Sequence, residues 1–177
     1  MNQVNEPEGV AAYADRASKG LCRWVDRACM ALMALLVMDV WLGVFARYVM
    51  PLPITFMEEA ARYLMIWVAL LAVSSGIARR EHIGVQMLFV RLPALARRLL
   101  LGLLDLLAIA FFAVLLWYGI GMVERGERIS TMIYGLSKML PFAAVPVSAA
   151  LAIVQLILVA VRDQARLART PNQVVYP

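Results

Sequence analysis

The hydrophobic positions of this 177-residue chain gather into four runs separated by charged and proline-containing stretches. The first runs from Ala28 to Ala46 and is broken only by Asp39. The second runs from about Ala60 to Ala78 with Arg62 near its start. The third, Leu99 to Val123, contains Asp105, and the fourth, Met139 to Val161, carries no charge. Crossing about 30 Å of hydrocarbon at about 1.5 Å per residue takes roughly 20 residues, and each run is about that long. All four are apolar on every side, so hydrophobic periodicity is a poor guide to which faces are buried.

Two further segments follow a different pattern. Leu21, Trp24, Val25 and Ala28 recur at helical spacing with Lys19, Arg23, Asp26 and Arg27 between them. That predicts an amphipathic approach helix lying in the membrane interface, anchored by Trp24. Between the second and third runs, Ile83, Val85, Met87, Leu88, Phe89, Val90 and Leu92 are too apolar for solvent but too few to span. This segment is expected to lie along the interface until Pro93 turns the chain into the third span. Residues 1–12 are polar and expected to be disordered. The predicted fold is therefore an all-α integral membrane protein of four transmembrane helices, with an N-terminal amphipathic interfacial helix and an interfacial segment between helices 2 and 3. Its organisation is a tail and approach helix over residues 1–27, a membrane domain over 28–161 and a tail over 162–177. The first run begins only near residue 28 and is followed by Arg47-Tyr48, not by a small-residue cleavage site, so it reads as a retained helix.

Composition narrows the function classes. The chain is 63% hydrophobic and 16% charged, against about 45–50% and about 25% in soluble domains. Four spans leave no room for a folded receptor ectodomain or a nucleotide-driven motor. Of the 17 lysines and arginines, twelve lie before the first run, between the second and third, or after the fourth, which predicts that both termini are cytoplasmic. The same distribution accounts for the net charge of +5 without nucleic acid as a partner. Cys22 and Cys29 lie near the first span, not paired on outer loops as a membrane thiol oxidoreductase needs. A lone histidine, His82, cannot supply both axial ligands of a bis-histidine haem or build a metal site. No internal repeat of the kind that marks many complete carriers is visible, nor is a nucleophile–base pair or phosphate loop. The chain reads as no enzyme and as having no cofactor or metal of its own.

Charge in and near the spans supplies the candidate sites. Glu58 and Glu59 precede Arg62 at helical spacings of four and three, and Arg47 lies one short proline turn away. Two arginines facing two carboxylates leave little negative charge for a cation, which favours a structural clamp closing the first hairpin over an ion or substrate site. Asp39 lies mid-span, where an acid costs about 2.5–3.5 kcal/mol on insertion scales. It reads either as functional, in a proton relay, an ion site or a subunit contact, or as hydrogen-bonded to Ser74, Ser75 or Tyr118. Asp105 is expected to snorkel to the interface beside Arg97 and Arg98, and Trp41, Trp67 and Trp117 read as interfacial or packing residues.

The series Arg47-Tyr48, a proline turn, Phe56-Met57-Glu58-Glu59, Arg62-Tyr63, Trp67 and Arg79-Arg80-Glu81-His82-Ile83 resembles the small membrane subunit of tripartite ATP-independent periplasmic (TRAP) transporters. Pro146 resembles a proline of that family's fourth span. Phe56 stands where the family usually has tryptophan, and Gln86 where it usually has an acid. The resemblance implies a scaffold subunit whose partners are a larger permease subunit, a periplasmic substrate-binding protein and membrane lipid. It implies sodium-coupled import of an organic acid, with sodium held by the large subunit. Arg47, Phe56, Glu58, Glu59, Arg62, Trp67, His82 and Asp39 are the candidate structural or subunit-interface residues. The alternative is a self-contained proton-coupled transporter acting as a homo-oligomer, with Asp39 as its coupling site.

Overall fold

The computed structural model describes residues 9–49, 56–79, 93–129 and 137–169. These form four helices: α1 (Val10–Tyr48), α2 (Phe56–Arg79), α3 (Ala94–Glu127) and α4 (Met139–Arg169). All four are long and apolar enough to cross a membrane. Sequence neighbours are antiparallel, so one end of the bundle collects the starts of α1 and α3 and the ends of α2 and α4. We call this the proximal end, and the opposite one distal. The expected interfacial segment between the second and third spans, with His82 in it, lies outside the described residues.

Helix α1 departs most from the sequence pattern. It is one unbroken helix of 39 residues, about 58 Å long at about 1.5 Å per residue. The approach helix is thus the first half of α1 and not a separate element. The reason is local: from Val10 to Leu42 there is no proline and only one glycine, Gly20, so nothing stops propagation at the expected break near residue 27. The helix also starts inside the stretch expected to be disordered. Gly9, at φ 133°, adopts a left-handed conformation open to glycine and accepts hydrogen bonds from the amides of Ala12 and Tyr13. The opening turns of the other helices follow their sequence. Glu58 and Glu59 occupy the first turn of α2, where the helix dipole favours acids. Pro93, with φ −63° and ψ 153°, delivers the chain into α3 as expected.

Helix α4 is the hub, touching α1, α2 and α3. Its Ala144, Ala149, Ala152, Leu156 and Val159 are buried, and small residues of this kind let membrane helices approach closely. Ile77 of α2 packs on Ala152 and Leu156, with Ala108, Ile109 and Phe112 of α3 closing over them. At the distal end α3 and α4 meet without spacers. A Cβ on Gly119 would stand 3.1–3.3 Å from the ring and nitrogen of Pro146, which lies inside α4. A Cβ on Gly126 would stand 2.6 Å from the Phe142 ring and 3.2 Å from the Lys138 carbonyl. Ser137 fastens the turn, donating to the Gly126 carbonyl at 3.1 Å and accepting from the Met139 amide at 3.2 Å.

Candidate functional site

The distal charge cluster divides between two faces of α2. Glu59 and Tyr63, four residues apart, share the packed face, and the Tyr63 hydroxyl donates to Glu59 Oε1. Glu59 is only 8% exposed, and its Oε2 is buried without a hydrogen-bond partner. Glu58 and Arg62 lie on an exposed face, and Arg47, at the end of α1, is exposed too. Among the described residues no ion pair joins Arg47, Glu58, Glu59 and Arg62. The clamp expected from their spacing does not form: Arg62 stays on the exposed side of α2, and the buried Glu59 accepts instead from Tyr63, one turn further along. Trp67 is half-buried further along α2, and Phe56 opens that helix.

The clasp between α1 and α2 lies instead at the proximal end. Ser75 donates to Asp26 Oδ1 at 2.6 Å, and Arg79 Nη2 donates to Asp26 Oδ2 at 2.9 Å. Cys22 adds contacts to Asp26 at 3.7 Å and Ser75 at 3.5 Å. One turn further, Cys29 donates to the Val68 carbonyl at 4.0 Å. A second tie binds α1 to α4. Gln155 Nε2, fully buried, donates to Ser18 Oγ at 2.5 Å. Arg162 Nη1 reaches Asp15 Oδ1 at 3.6 Å while its Nε holds Asp163 Oδ1 at 2.7 Å. The spacing hides the first tie because it puts Asp26 on the polar face of an approach helix, and it gives no partner for Ser18 or Gln155. A signal was available: span limits at Ala28 and Ala78 already put Asp26 and Arg79 at one depth.

Asp39 lies on the seam that α1 turns toward α2. That seam runs Cys29, Leu32, Leu36, Asp39, Gly43 and Ala46, alternately three and four residues apart, while the positions between them are exposed. The hydrogen bonds considered for Asp39 do not form. Ser75 is committed to Asp26, Ser74 Oγ has no partner, Tyr118 is exposed, and Asp39 Oδ2 is buried without a donor. Asp105 is only 5% exposed, packed within the subunit. Trp41 and Trp117 face outward. Among the described residues no group of three or more histidine, cysteine, aspartate or glutamate side chains is arranged for a metal ion.

Four apolar helices joined by polar ties, with carboxylates spent on holding helices together, define a small multi-pass membrane subunit. The sequence matches the family described as "Tripartite ATP-independent periplasmic transporters, DctQ component" over residues 33–166. The chain belongs to this family and is a TRAP transporter small permease subunit. A Haemophilus influenzae protein named as a TRAP transporter small permease is 29% identical over 93 residues, covering 50% of this chain and 58% of that protein. The "Isethionate TRAP transporter permease protein DctMQ" of Oleidesulfovibrio alaskensis is 28% identical over 102 residues, covering 56% of this chain and 16% of that protein. The matched stretch thus spans little more than half of the first relative and a small part of the second.

Proposed function

We propose that this chain is the scaffold subunit of a sodium-coupled, binding-protein-dependent TRAP importer of organic acids such as dicarboxylates or sialic acid. It braces a large permease subunit that holds the sodium and substrate sites, and a periplasmic protein delivers the substrate. The observation carrying this reading is the family match across residues 33–166, which takes in all of α2 and α3, nearly all of α4 and the distal part of α1. Pairing with a large permease draws support from the relative whose name joins DctM and DctQ, in which the matched stretch fills only 16% of the chain. The span half of α1 is consistent with a bracing role, since between Ala28 and Phe45 no residue is buried within this subunit.

The rival, a self-contained proton-coupled carrier, has one observation in its favour: the unpartnered buried oxygen of Asp39. Proteoliposomes separate the two. This polypeptide alone is expected to give no sodium- or proton-driven uptake of organic acids, and uptake is expected once a large permease subunit is co-reconstituted. Robust uptake by the small chain alone, abolished by Asp39→Asn, would establish the rival.

Orientation has its own test. Reporter fusions after residues 90 and 177 are expected to read as cytoplasmic, and a fusion after residue 130 as periplasmic. A periplasmic reading after residue 90 would invert the subunit in the inner membrane.

A further inference from the structure

The face of α1 opposite its packed seam changes character abruptly along its length. From the proximal end it presents Arg16, Lys19, Arg23 and Arg27, three or four residues apart and all exposed. Beyond Arg27 the same face continues as Met30, Trp41 and Phe45, exposed and apolar. The edge of the hydrocarbon layer on this helix therefore falls between Arg27 and Met30. Each headgroup layer is about 5–8 Å thick, and the four residues from Arg27 back to Arg23 rise about 6 Å. Both arginines lie at headgroup depth, with Trp24 between them, 71% exposed. The Arg27 guanidinium lies 5.8 Å from the Trp24 ring centroid, which orients it along the helix surface.

Of these charges Lys19 is paired with Asp15 at 2.7 Å, and the three arginines have no internal counterion among the described residues. Asp15 is turned toward Lys19 and Arg162, and Asp26 toward Ser75 and Arg79. Among the described residues Arg16, Arg23 and Arg27 meet no carboxylate. Arg23 spends one donor on the Lys19 carbonyl, which fixes its stem against the helix. Two uncompensated guanidinium groups, Arg23 and Arg27, beside an exposed indole and at the depth of phosphate groups match one partner by charge.

We propose that Arg23, Trp24 and Arg27 form a binding site for the phosphate of an anionic phospholipid. The arginines take the phosphate oxygens, the indole covers the glycerol region, and the apolar face from Met30 onward receives the acyl chain. Such a site fixes the depth of α1, and through the Asp26 and Gln155 ties the depth of the whole proximal end.

The test uses the full chain in nanodiscs of phosphatidylcholine mixed with phosphatidylglycerol, followed by native mass spectrometry of the lipid retained. Each basic side chain near an anionic surface confers roughly a fivefold preference. Wild type is expected to retain phosphatidylglycerol in preference to phosphatidylcholine, and Arg23→Gln/Arg27→Gln to lose roughly 25-fold of that preference. The distal pair Arg125→Gln/Arg128→Gln, also exposed, is expected to keep it. Equal retention of both lipids by wild type, or an unchanged preference in the Arg23/Arg27 variant, would overturn the site. So would inorganic phosphate stripping the lipid where chloride of equal ionic strength does not, since the stripe would then read a free anion. Loss of the lipid on addition of the large permease subunit would make the stripe a protein interface and equally defeat the proposal.

Discussion

Gly126→Leu is expected to keep the distal ends of α3 and α4 from closing. Already the first atom of the new side chain would stand 2.6 Å from the Phe142 ring and 3.2 Å from the Lys138 carbonyl. The ring can swing aside, but the Lys138 backbone cannot, because its amide donates to the Ile129 carbonyl at 2.9 Å and its carbonyl accepts from the Phe142 amide. Overpacking of this kind costs about 1–3 kcal/mol, and displacement of Ser137 from the Gly126 carbonyl adds to it. Gly119→Ala should be milder, pressing on the Pro146 ring at 3.1–3.3 Å. Gly121→Leu is the control, since a Cβ there meets only the tip of Arg125 at 4.0 Å. Thermal unfolding of the purified chain in detergent should rank Gly126→Leu as the least stable of the three and Gly121→Leu as no worse than wild type. A Gly126→Leu protein as stable as Gly121→Leu would show that the hairpin does not close as described.

What the sequence made legible, and what it hid, follows from what a hydrophobic run measures. A run without charge reports the thickness of the hydrocarbon crossed, so all four spans were found, each inside its helix. It does not report where the helix ends, because charged turns continue a helix freely into the interface. That is why α1 starts at Val10 when its run starts at Ala28, and why α4 reaches Arg169 when its run stops at Val161. Faces were hidden for a related reason. With apolar residues all round, periodicity cannot separate a protein-facing side from a lipid-facing one, and the role of α4 as hub went unread although Ala144, Ser148, Ala149 and Ala152 carried a small-residue signal. Depth alone also says nothing of the burial of Asp105, which is 5% exposed. Helical spacing found the acids and arginines at the first hairpin correctly but not their partners, since three- and four-residue spacings permit both Glu59–Arg62 and Glu59–Tyr63.

The position of the clasp decides which charges matter to the subunit, and Asp26→Ala is expected to cost more than Arg62→Ala. Removing Asp26 takes away an acceptor shared by Ser75, Arg79 and Cys22. Hydrogen bonds to a charged group contribute about 1.5–3 kcal/mol when well shielded. Here the aspartate and arginine side chains are 33% and 55% exposed, so their ion pair falls nearer the surface range of about 0–1 kcal/mol, and the Ser75 bond carries most of the loss. A total of about 1–2 kcal/mol is expected for Asp26→Ala. Asp26→Asn should retain about half of it, because an amide oxygen still accepts from Ser75. Arg62→Ala removes an exposed side chain with no carboxylate partner among the described residues and should leave stability within about 0.5 kcal/mol. The decisive measurement is a pair of double-mutant cycles on unfolding in detergent, one between positions 26 and 79 and one between 59 and 62. Coupling is expected in the first and none in the second. Larger coupling between Glu59 and Arg62 would return the clamp to the distal hairpin, where spacing alone had placed it, and would make the Asp26 contacts incidental.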